Sequence, residues 1–353
     1  MKKRLLIFTQ KMNKTDPVLG FFHEWVRRIA SDGTKVTVIC LEKGLVELPS
    51  DIRVFSLGKE EGLKHKDYIK RFYKYIWVLR KDYDTVFIHM NQEYALLGGI
   101  PWRLMGKRVM MWRNHPSGGF LTKVAAFLSH RVFCTSKTSF TVRFKKTRIM
   151  PVGVDIKDDQ DSGDIKRVSN SILSLGRLSP VKKIHTILES FSIARKEISG
   201  LTLTIAGGPI PREIDLNYKK SLDEQYLSLG LKESVKWSGD IKPDEARGYY
   251  LAHDVFINAT TPGSFDKTII EAAYFGCITL VCQDIWADTP QAHLSKYLYF
   301  KYDDVADLVE KIKVILSLSD EEKNKIRKDL NQFVRDCHSL DALVSAIRHH
   351  ANQ

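Results

Sequence analysis

The chain has 353 residues, enough for about two domains, and 43% of it is apolar and 10% aromatic, which excludes a disordered or collagen-like polymer. Lys and Arg number 55 against 42 Asp and Glu, a formal charge of +13, so a polyanionic partner is expected: nucleic acid, an anionic membrane surface or a phosphorylated substrate. The five cysteines show no CxxC spacing and no His/Cys cluster with ligand spacing, which argues against a zinc site and points to free thiols in a reducing compartment, Cys40 and Cys134 buried in strand-like runs.

The N-terminus, MKKRLLIFTQK, has the charge of a signal peptide, but its apolar run from Leu5 to Phe8 is too short for a signal core. No stretch approaches the ~18 apolar residues of a membrane span. A cytoplasmic protein is expected, soluble or peripheral on the membrane face. Strand-like runs follow at 4–9, 36–41, 52–57, 85–90, 108–113, 131–135 and 148–152, with helical patterns such as 21–30 and 121–128 between them. Several runs are rich in Val and Ile and apolar on both faces, as parallel strands are when helices cover both sides. This βαβ alternation predicts an open α/β sheet.

Within this half, KHKDYIKRFYKYIWVLRK (64–81) reads as an amphipathic helix. Ile69, Phe72, Ile76 and Leu79 form an inward stripe. Lys66, Lys70, Tyr73, Lys74, Trp77 and Lys81 form a basic, aromatic face that suits anionic lipid headgroups, with a merely solvated helix as the alternative.

Residues 156–168 are polar and charged and read as a linker. A second α/β series follows, with strands at 171–175, 201–206, 235–237, 254–259 and 278–282 and helices including 183–197 and 267–275. The tail from Val305 is helical and highly charged, and Leu340, Leu343, Val344 and Ile347 recur at helical spacing near its end. Two Rossmann-like domains on either side of a linker would enclose a cleft, with ligands beyond the carboxyl ends of the strands.

Two segments place polar residues there. In SILSLGRLSPVKK (171–183) a strand ends at Gly176, and Arg177 and Lys182 flank the loop into the next helix. Two cations at that position suit a diphosphate; an ordinary charged loop is the alternative. In ATTPGSFDKTIIEAAYFGC (259–277) a loop from Thr261 to Asp266 opens a helix that carries Glu271. Gly263 permits close backbone approach, and the amides from Phe265 to Thr268 at the helix start would favour an anion. Glu271 would accept from ribose hydroxyls; alternatively Asp266 merely caps the helix and Glu271 is solvated. The string Asp159-Gln160-Asp161 is not assigned to a metal, because it falls in the linker and not after a strand.

Together these segments resemble the retaining glycosyltransferases of GT-B architecture, most closely family 4, to which the phosphatidylinositol mannosyltransferases belong. GRLxxxK, followed about 85 residues later by a loop of the ESFGxxxxEA type, carries the resemblance. DPVLGFFHEWVRRIASDGTKVTVIC, MPVGVD (150–155), IAGGP (205–209) and WSGDI (237–241) fit the family in the same order, so the likeness covers nearly the whole chain. It implies two Rossmann-like domains facing each other across a cleft. These would be 1–165 on the acceptor side, with helix 337–353 packed back on it, and 166–336 binding a nucleotide-sugar.

The resemblance also implies roles. Arg177 and Lys182 would neutralise the donor diphosphate, Glu271 would hold the ribose, and backbone from Gly239 to Ile241 would contact the base. Gly20 would stand among the donor-facing glycines, and His115 in WRNHP would face the transferred sugar; without the resemblance His115 reads as a structural histidine. Gly263, Ser264, Phe265, Lys267 and Thr268 would complete the donor loop. The family's usual loop has a glutamate where this chain has Gly263. Asp266 is expected to return a carboxylate to the sugar, held by Lys267 unless that lysine meets an acidic donor sugar.

The expected function is transfer of a sugar from a nucleotide-sugar to a glycan or lipid-linked acceptor, without a metal or other cofactor. An epimerase of the same architecture and an inactive glycosyltransferase-like subunit remain alternatives. A nucleic-acid-binding role is disfavoured, because no helix-turn-helix, zinc-finger or RNA-recognition signature is present.

Overall fold

The computed structural model describes residues 4–352 except 17, 157–164, 243, 263–265 and 284. The linker string Asp159-Gln160-Asp161 and the donor-loop residues Gly263, Ser264 and Phe265 lie outside the described residues. The chain divides into two compact units, with boundaries between Asp155 and Ile156 and between His338 and Ser339. The sequence reading set these boundaries at 165/166 and 336/337.

In the first unit the Val- and Ile-rich runs become seven parallel strands: β1 (Arg4–Met12), β2 (Lys35–Lys43), β3 (Arg53–Ser56), β4 (Thr85–His89), β5 (Arg108–Trp112), β6 (Arg131–Cys134) and β7 (Thr147–Ile149). Their order across the sheet is β3-β2-β1-β4-β5-β6-β7. Side chains alternate between faces with the two-residue period of a strand. Leu5, Ile7, Val36, Val38, Phe87 and Met110 point into one core, which α1 (Phe22–Ala30) and the C-terminal helix (Leu340–Asn352) cover. Leu6, Phe8, Val86, Ile88, Val109 and Met111 point into the other, under α2 (His65–Val78), α3 (Gln92–Leu104) and α4 (Phe120–Leu128).

The C-terminal helix completes the first core. Leu340, Leu343, Val344 and Ile347 are at most 2% exposed. Each such burial is worth about 1.5–3 kcal/mol. Its start is tied down by the amide of Leu340, which donates to the Val154 carbonyl at 2.7 Å.

On α2 the expected inward stripe needs one correction: Phe72, Ile76 and Leu79 are buried, but Ile69 is 43% exposed. Tyr68 and Tyr75 pack inward beside Phe72 and Ile76, at helical spacing, and leave Ile69 outside. The basic, aromatic face is exposed, with Trp77 60% accessible and stacked under the Arg80 guanidinium at 4.4 Å.

The second unit holds five parallel strands: β8 (Val168–Leu175), β9 (Thr202–Ala206), β10 (Val235–Gly239), β11 (His253–Asn258) and β12 (Ile278–Val281), in the order β10-β9-β8-β11-β12. Its helices are α5 (Ile184–Ala194), α6 (Glu213–Ser228), α7 (Ala246–Ala252), α8 (Lys267–Tyr274), α9 (Ser295–Leu298), α10 (Val305–Ser317) and α11 (Asp320–His338). The order reverses direction between β8 and β11, so the carboxyl ends of these two strands flank a topological switch point, where open α/β sheets bind ligands.

Candidate functional site

At that switch point the second unit has a small hollow. Gly176, Arg177, Leu178 and Lys182 after β8 line one side, and Asn258, Ala259 and Thr260 at the end of β11 line the other. Neighbouring strand ends are stitched by backbone bonds: Gly176 N–H to the Ala206 carbonyl at 2.9 Å, Leu178 N–H to Gly208 at 2.9 Å and Gly207 N–H to Gly239 at 2.7 Å. Gly207 has φ +123°, and a Cβ there would sit 2.1 Å from the Gly176 carbonyl oxygen, so this close approach admits no side chain.

Arg177 and Lys182 reach the hollow by different routes. The turn Pro180–Lys182 follows Ser179, and Lys183 enters α5 in the left-handed region at φ +50°, held by an ion pair to Asp303 at 2.7 Å. The Arg177 Nε is buried and has no hydrogen-bond partner among the described residues. An orphaned buried donor of this kind is costly, by about 1–3 kcal/mol, unless a ligand supplies the acceptor.

Lys182 is committed otherwise. Its ammonium forms an ion pair with the Asp266 carboxylate, 84 residues along the chain. Asp266 also accepts from Asn258 Nδ2 at 2.7 Å and the Thr260 hydroxyl at 3.4 Å, and its second oxygen accepts from the Thr268 amide at 3.2 Å as the N-cap of α8. Burial on its own pushes the Asp266 carboxyl up, but Lys182, Asn258 and Thr268 together outweigh it and hold the group below the usual carboxylate range.

Three expectations change accordingly. Asp266 is a cap and the counter-ion of Lys182, with a side chain only 10% exposed, and not an open carboxylate awaiting a sugar. The Thr268 amide is used by that cap and is not free for an anion. Lys267 pairs with Glu271 at 2.9 Å, one helical turn on, and not with Asp266. Glu271 additionally accepts from the Tyr250 hydroxyl at 3.4 Å. Tyr250 is fully buried, and burial, with Glu271 nearby, pushes its hydroxyl well above the ordinary tyrosine range. Gly239 lies at the end of β10 with φ +68°, and Ile241 is half-buried just beyond it.

Asn258 is the polar centre that sequence reasoning missed. It is buried, bonds to Asp266 and Thr268, and accepts from the Thr260 amide at 3.0 Å. The available signal was an amide side chain closing the apolar strand HDVFIN.

His115 and Gly20 belong to the first unit. His115 is exposed after β5, its Nδ1 accepting from the Ser117 amide at 3.0 Å. It lines a hollow of about 330 Å³ with Gln10, Leu19, Met90, Asn91 and Arg113, at the carboxyl ends of β1, β4 and β5. Met90 stands there with φ +70°, a conformation that costs a non-glycine residue about 1–3 kcal/mol and gathers at functional sites. Gly20 is buried; a Cβ would lie 2.6 Å from the Asp16 carbonyl oxygen and 2.7 Å from that of Lys14. The tight loop after β1 therefore requires glycine whatever it binds.

Residues 155–333, half of the chain, match the family described as Glycosyl transferases group 1. Alpha-monoglucosyldiacylglycerol synthase of Streptococcus pneumoniae is 29% identical over 153 residues, covering 39% of this chain and 33% of that protein. Mannosylfructose-phosphate synthase of Agrobacterium fabrum is 31% identical over 111 residues, covering 31% of this chain and 24% of that protein. The matches thus span a third or less of these relatives' own lengths. Among solved structures, sucrose-phosphate synthase of Thermosynechococcus elongatus superposes with a TM-score of 0.76 at 14% identity, over 100% of this chain and 99% of that one. Anabaena HepE, in complex with UDP and glucose, gives 0.73 at 16%, over 99% and 100%. The structural likeness is one of fold: two Rossmann-like α/β domains, as in GT-B glycosyltransferases. With half its length matched to the family, the chain belongs to the group 1 glycosyl transferases.

Proposed function

We propose that the protein is a retaining, family 4 glycosyltransferase that moves a sugar from a nucleotide-sugar to a glycan or lipid-linked acceptor. The observation that carries this reading is the orphaned Arg177 Nε beside Lys182 in the hollow at the carboxyl end of β8. A buried cationic donor without an acceptor suits the oxygens of a diphosphate. The relatives' names support a sugar-transfer reaction, and HepE was crystallised with UDP and with UDP-glucose.

In this reading Arg177 meets the diphosphate, joined by Lys182 as it turns from Asp266, while Glu271 meets the ribose and the backbone from Gly239 to Ile241 the base. His115 meets the transferred sugar. The acceptor hydroxyl attacks the anomeric carbon on the face the diphosphate leaves. The bond from that carbon to the phosphate oxygen breaks, and the departing phosphate takes the hydroxyl proton. The cations stabilise the charge developing on the diphosphate, so no metal is required. The exposed basic, aromatic face of α2 supports a peripheral station on an anionic, cytoplasmic membrane face. Among the described residues no helix is long and apolar enough to cross a membrane.

The test is calorimetry and thermal shift with nucleoside diphosphates and nucleotide-sugars, then NMR of the product's anomeric configuration, with and without chelator. Binding followed by α-retained transfer in chelator supports the reading. Loss of turnover on chelation, or inversion at the anomeric carbon, refutes it in that part. The inactive-subunit reading is favoured by Gly263 in place of the family glutamate; nucleotide binding with no transfer across broad donor and acceptor panels would establish it.

A further inference from the structure

Helix α4 carries large apolar side chains on both faces. It buries Thr122, Ala125, Ala126 and Leu128 and leaves Phe120 78%, Leu121 57% and Phe127 70% exposed. Phe120 and Phe127 are seven residues apart, two turns, so they share one outer face. Leu104, at the end of α3, is 84% exposed. Such a concentration of accessible large apolar side chains marks a surface that another body covers.

A basic hollow of about 420 Å³ adjoins the C-terminal end of this helix, lined by Arg103, Gly106, Lys107, Arg108 and His130, with no carboxylate in its wall. Arg103 donates from Nε to the Leu128 carbonyl and from Nη2 to Phe127, both at 3.0 Å, and its guanidinium lies 5.7 Å from the Phe127 ring. Lys146 donates to the Ala126 carbonyl at 3.0 Å and to Ser129 at 2.8 Å. A helix C-terminus offers only about half a negative charge to these cations. The Arg108 Nε is buried without a hydrogen-bond partner among the described residues. Burial, together with the neighbouring cations, pushes His130 and Lys146 below their usual ranges. The sequence explains the imbalance: from Tyr94 to Val154 there are eleven lysines and arginines and no aspartate or glutamate.

A nucleic acid would satisfy the cations but leave the phenylalanines in water. A second copy of the chain would cover the phenylalanines but bring a second set of like charges. An anionic bilayer supplies both an apolar interior and a layer of phosphates. We propose that the outer face of α4, with the basic hollow at its end, is a docking surface for anionic phospholipid bilayers: Phe120, Phe127 and Leu104 enter the interface while Arg103, Lys107 and Arg108 meet headgroup phosphates. This surface is distinct from the α2 face and from the donor hollow, and it does not depend on the donor chemistry.

The test is flotation of the full chain with vesicles of phosphatidylcholine, with and without an equal part of phosphatidylglycerol, at low and high salt. The wild type is expected to float only with the anionic vesicles, and less at high salt. Phe120→Ser with Phe127→Ser should lower the bound fraction roughly tenfold or more, and Arg108→Gln should weaken it, while Trp77→Ser on α2 has a smaller effect. Phe120, Phe127 and Trp77 are exposed, so their replacement leaves the fold intact, and thermal unfolding of each variant, half-buried Arg108→Gln included, checks it. Unchanged flotation of the double phenylalanine variant, equal binding to neutral vesicles, no vesicle binding at all, or a loss confined to Trp77→Ser overturns the proposal. So does a light-scattering dimer abolished by the phenylalanine changes. Thermal shift with UDP on the same samples reads the donor site separately, so either reading can fail while the other stands.

Discussion

Replacing Asp266 by Asn removes the charge of the Lys182–Asp266 pair while keeping the cap. Asparagine caps helices about as well as aspartate, and its one oxygen can still accept from the Thr268 amide. The other carboxylate oxygen, which takes Asn258 and Lys182, becomes an NH2 group that cannot accept, so the Asn258 bond goes together with the counter-charge of an ammonium only 18% exposed. Breaking a buried pair by removing one partner costs about 3–5 kcal/mol; some exposure of Lys182 puts the expected loss near the lower bound, about 3 kcal/mol. The Asp266 carboxyl is held below its ordinary range in the folded state, so its contribution is complete above the unfolded value near ~3.9 and fades as pH falls through the folded one. Urea unfolding of wild type and Asp266→Asn at pH 7 and again below pH 4 reads both the gap and its closure on acidification. Calorimetry with UDP reads a second consequence. An ammonium released from Asp266 is free for a diphosphate, so Asp266→Asn should bind UDP at least as tightly as wild type despite its lower stability. Equal stability of the two proteins at pH 7, within about 0.5 kcal/mol, would refute the buried-pair argument. Weaker UDP binding in the variant would show that the pair positions Lys182 for the ligand, and not that it sequesters it.

Other expectations are as direct. Arg177→Ala should weaken UDP binding by about 1.5–3 kcal/mol, the worth of a hydrogen bond to a charged group, and leave unfolding by urea nearly unchanged or slightly more difficult, because a buried orphan donor is gone. Leu343→Ala, at a position 0% exposed, should destabilise the first unit by about 2–5 kcal/mol in urea titrations that follow that unit's tryptophans. His89 is buried, stacked on Phe22 at 3.9 Å, and burial pushes its imidazole down to about 3. Its folded value lies below the unfolded ~6.5, so the stability it gives is present above that pH and declines below it, by about 2 kcal/mol at pH 5. His89→Asn should therefore lose less stability than wild type between pH 7 and pH 5, as measured by Tm.

The sheets were legible because their strands are apolar on both faces; Leu5, Leu6, Ile7 and Phe8 need two cores, and only a parallel sheet between helix layers provides them. Helix α3, which is not among the helices named from the sequence, carries Gly98, Gly99 and Pro101, residues that disfavour a helix interior. In the fold Gly98 leaves room for the Trp102 ring one turn along the same helix, and Gly99 lets α3 approach Leu128 of α4; a Cβ at either would fall within 2.6 Å or less of a neighbouring atom. Tertiary contact there overrides propensity. Arg177 and Lys182 stood out in the sequence because strand ends are where chemistry collects. The Lys182–Asp266 pair did not, because its partners are 84 residues apart and nothing local couples them. The Lys267–Glu271 pair was within reach of the i, i+4 rule. Attention to the loop's donor-facing role drew Lys267 toward Asp266 instead.

The C-terminal helix has a consequence for the order in which the protein matures on the ribosome. The first unit's sheet ends by residue 149, but one wall of its core is made by residues 340–352. At synthesis rates of about 5–20 residues per second, roughly 10–40 s separate the two. During that interval Leu5, Val26, Val36 and their neighbours lack the cover that Leu340, Leu343, Val344 and Ile347 later supply. The second unit, from Ile156 to His338, is contiguous in the order of synthesis and has no such wait. The half of the protein made first is therefore the half finished last, and a chaperone that shields apolar sheet faces should be found on nascent chains that stop short of residue 340.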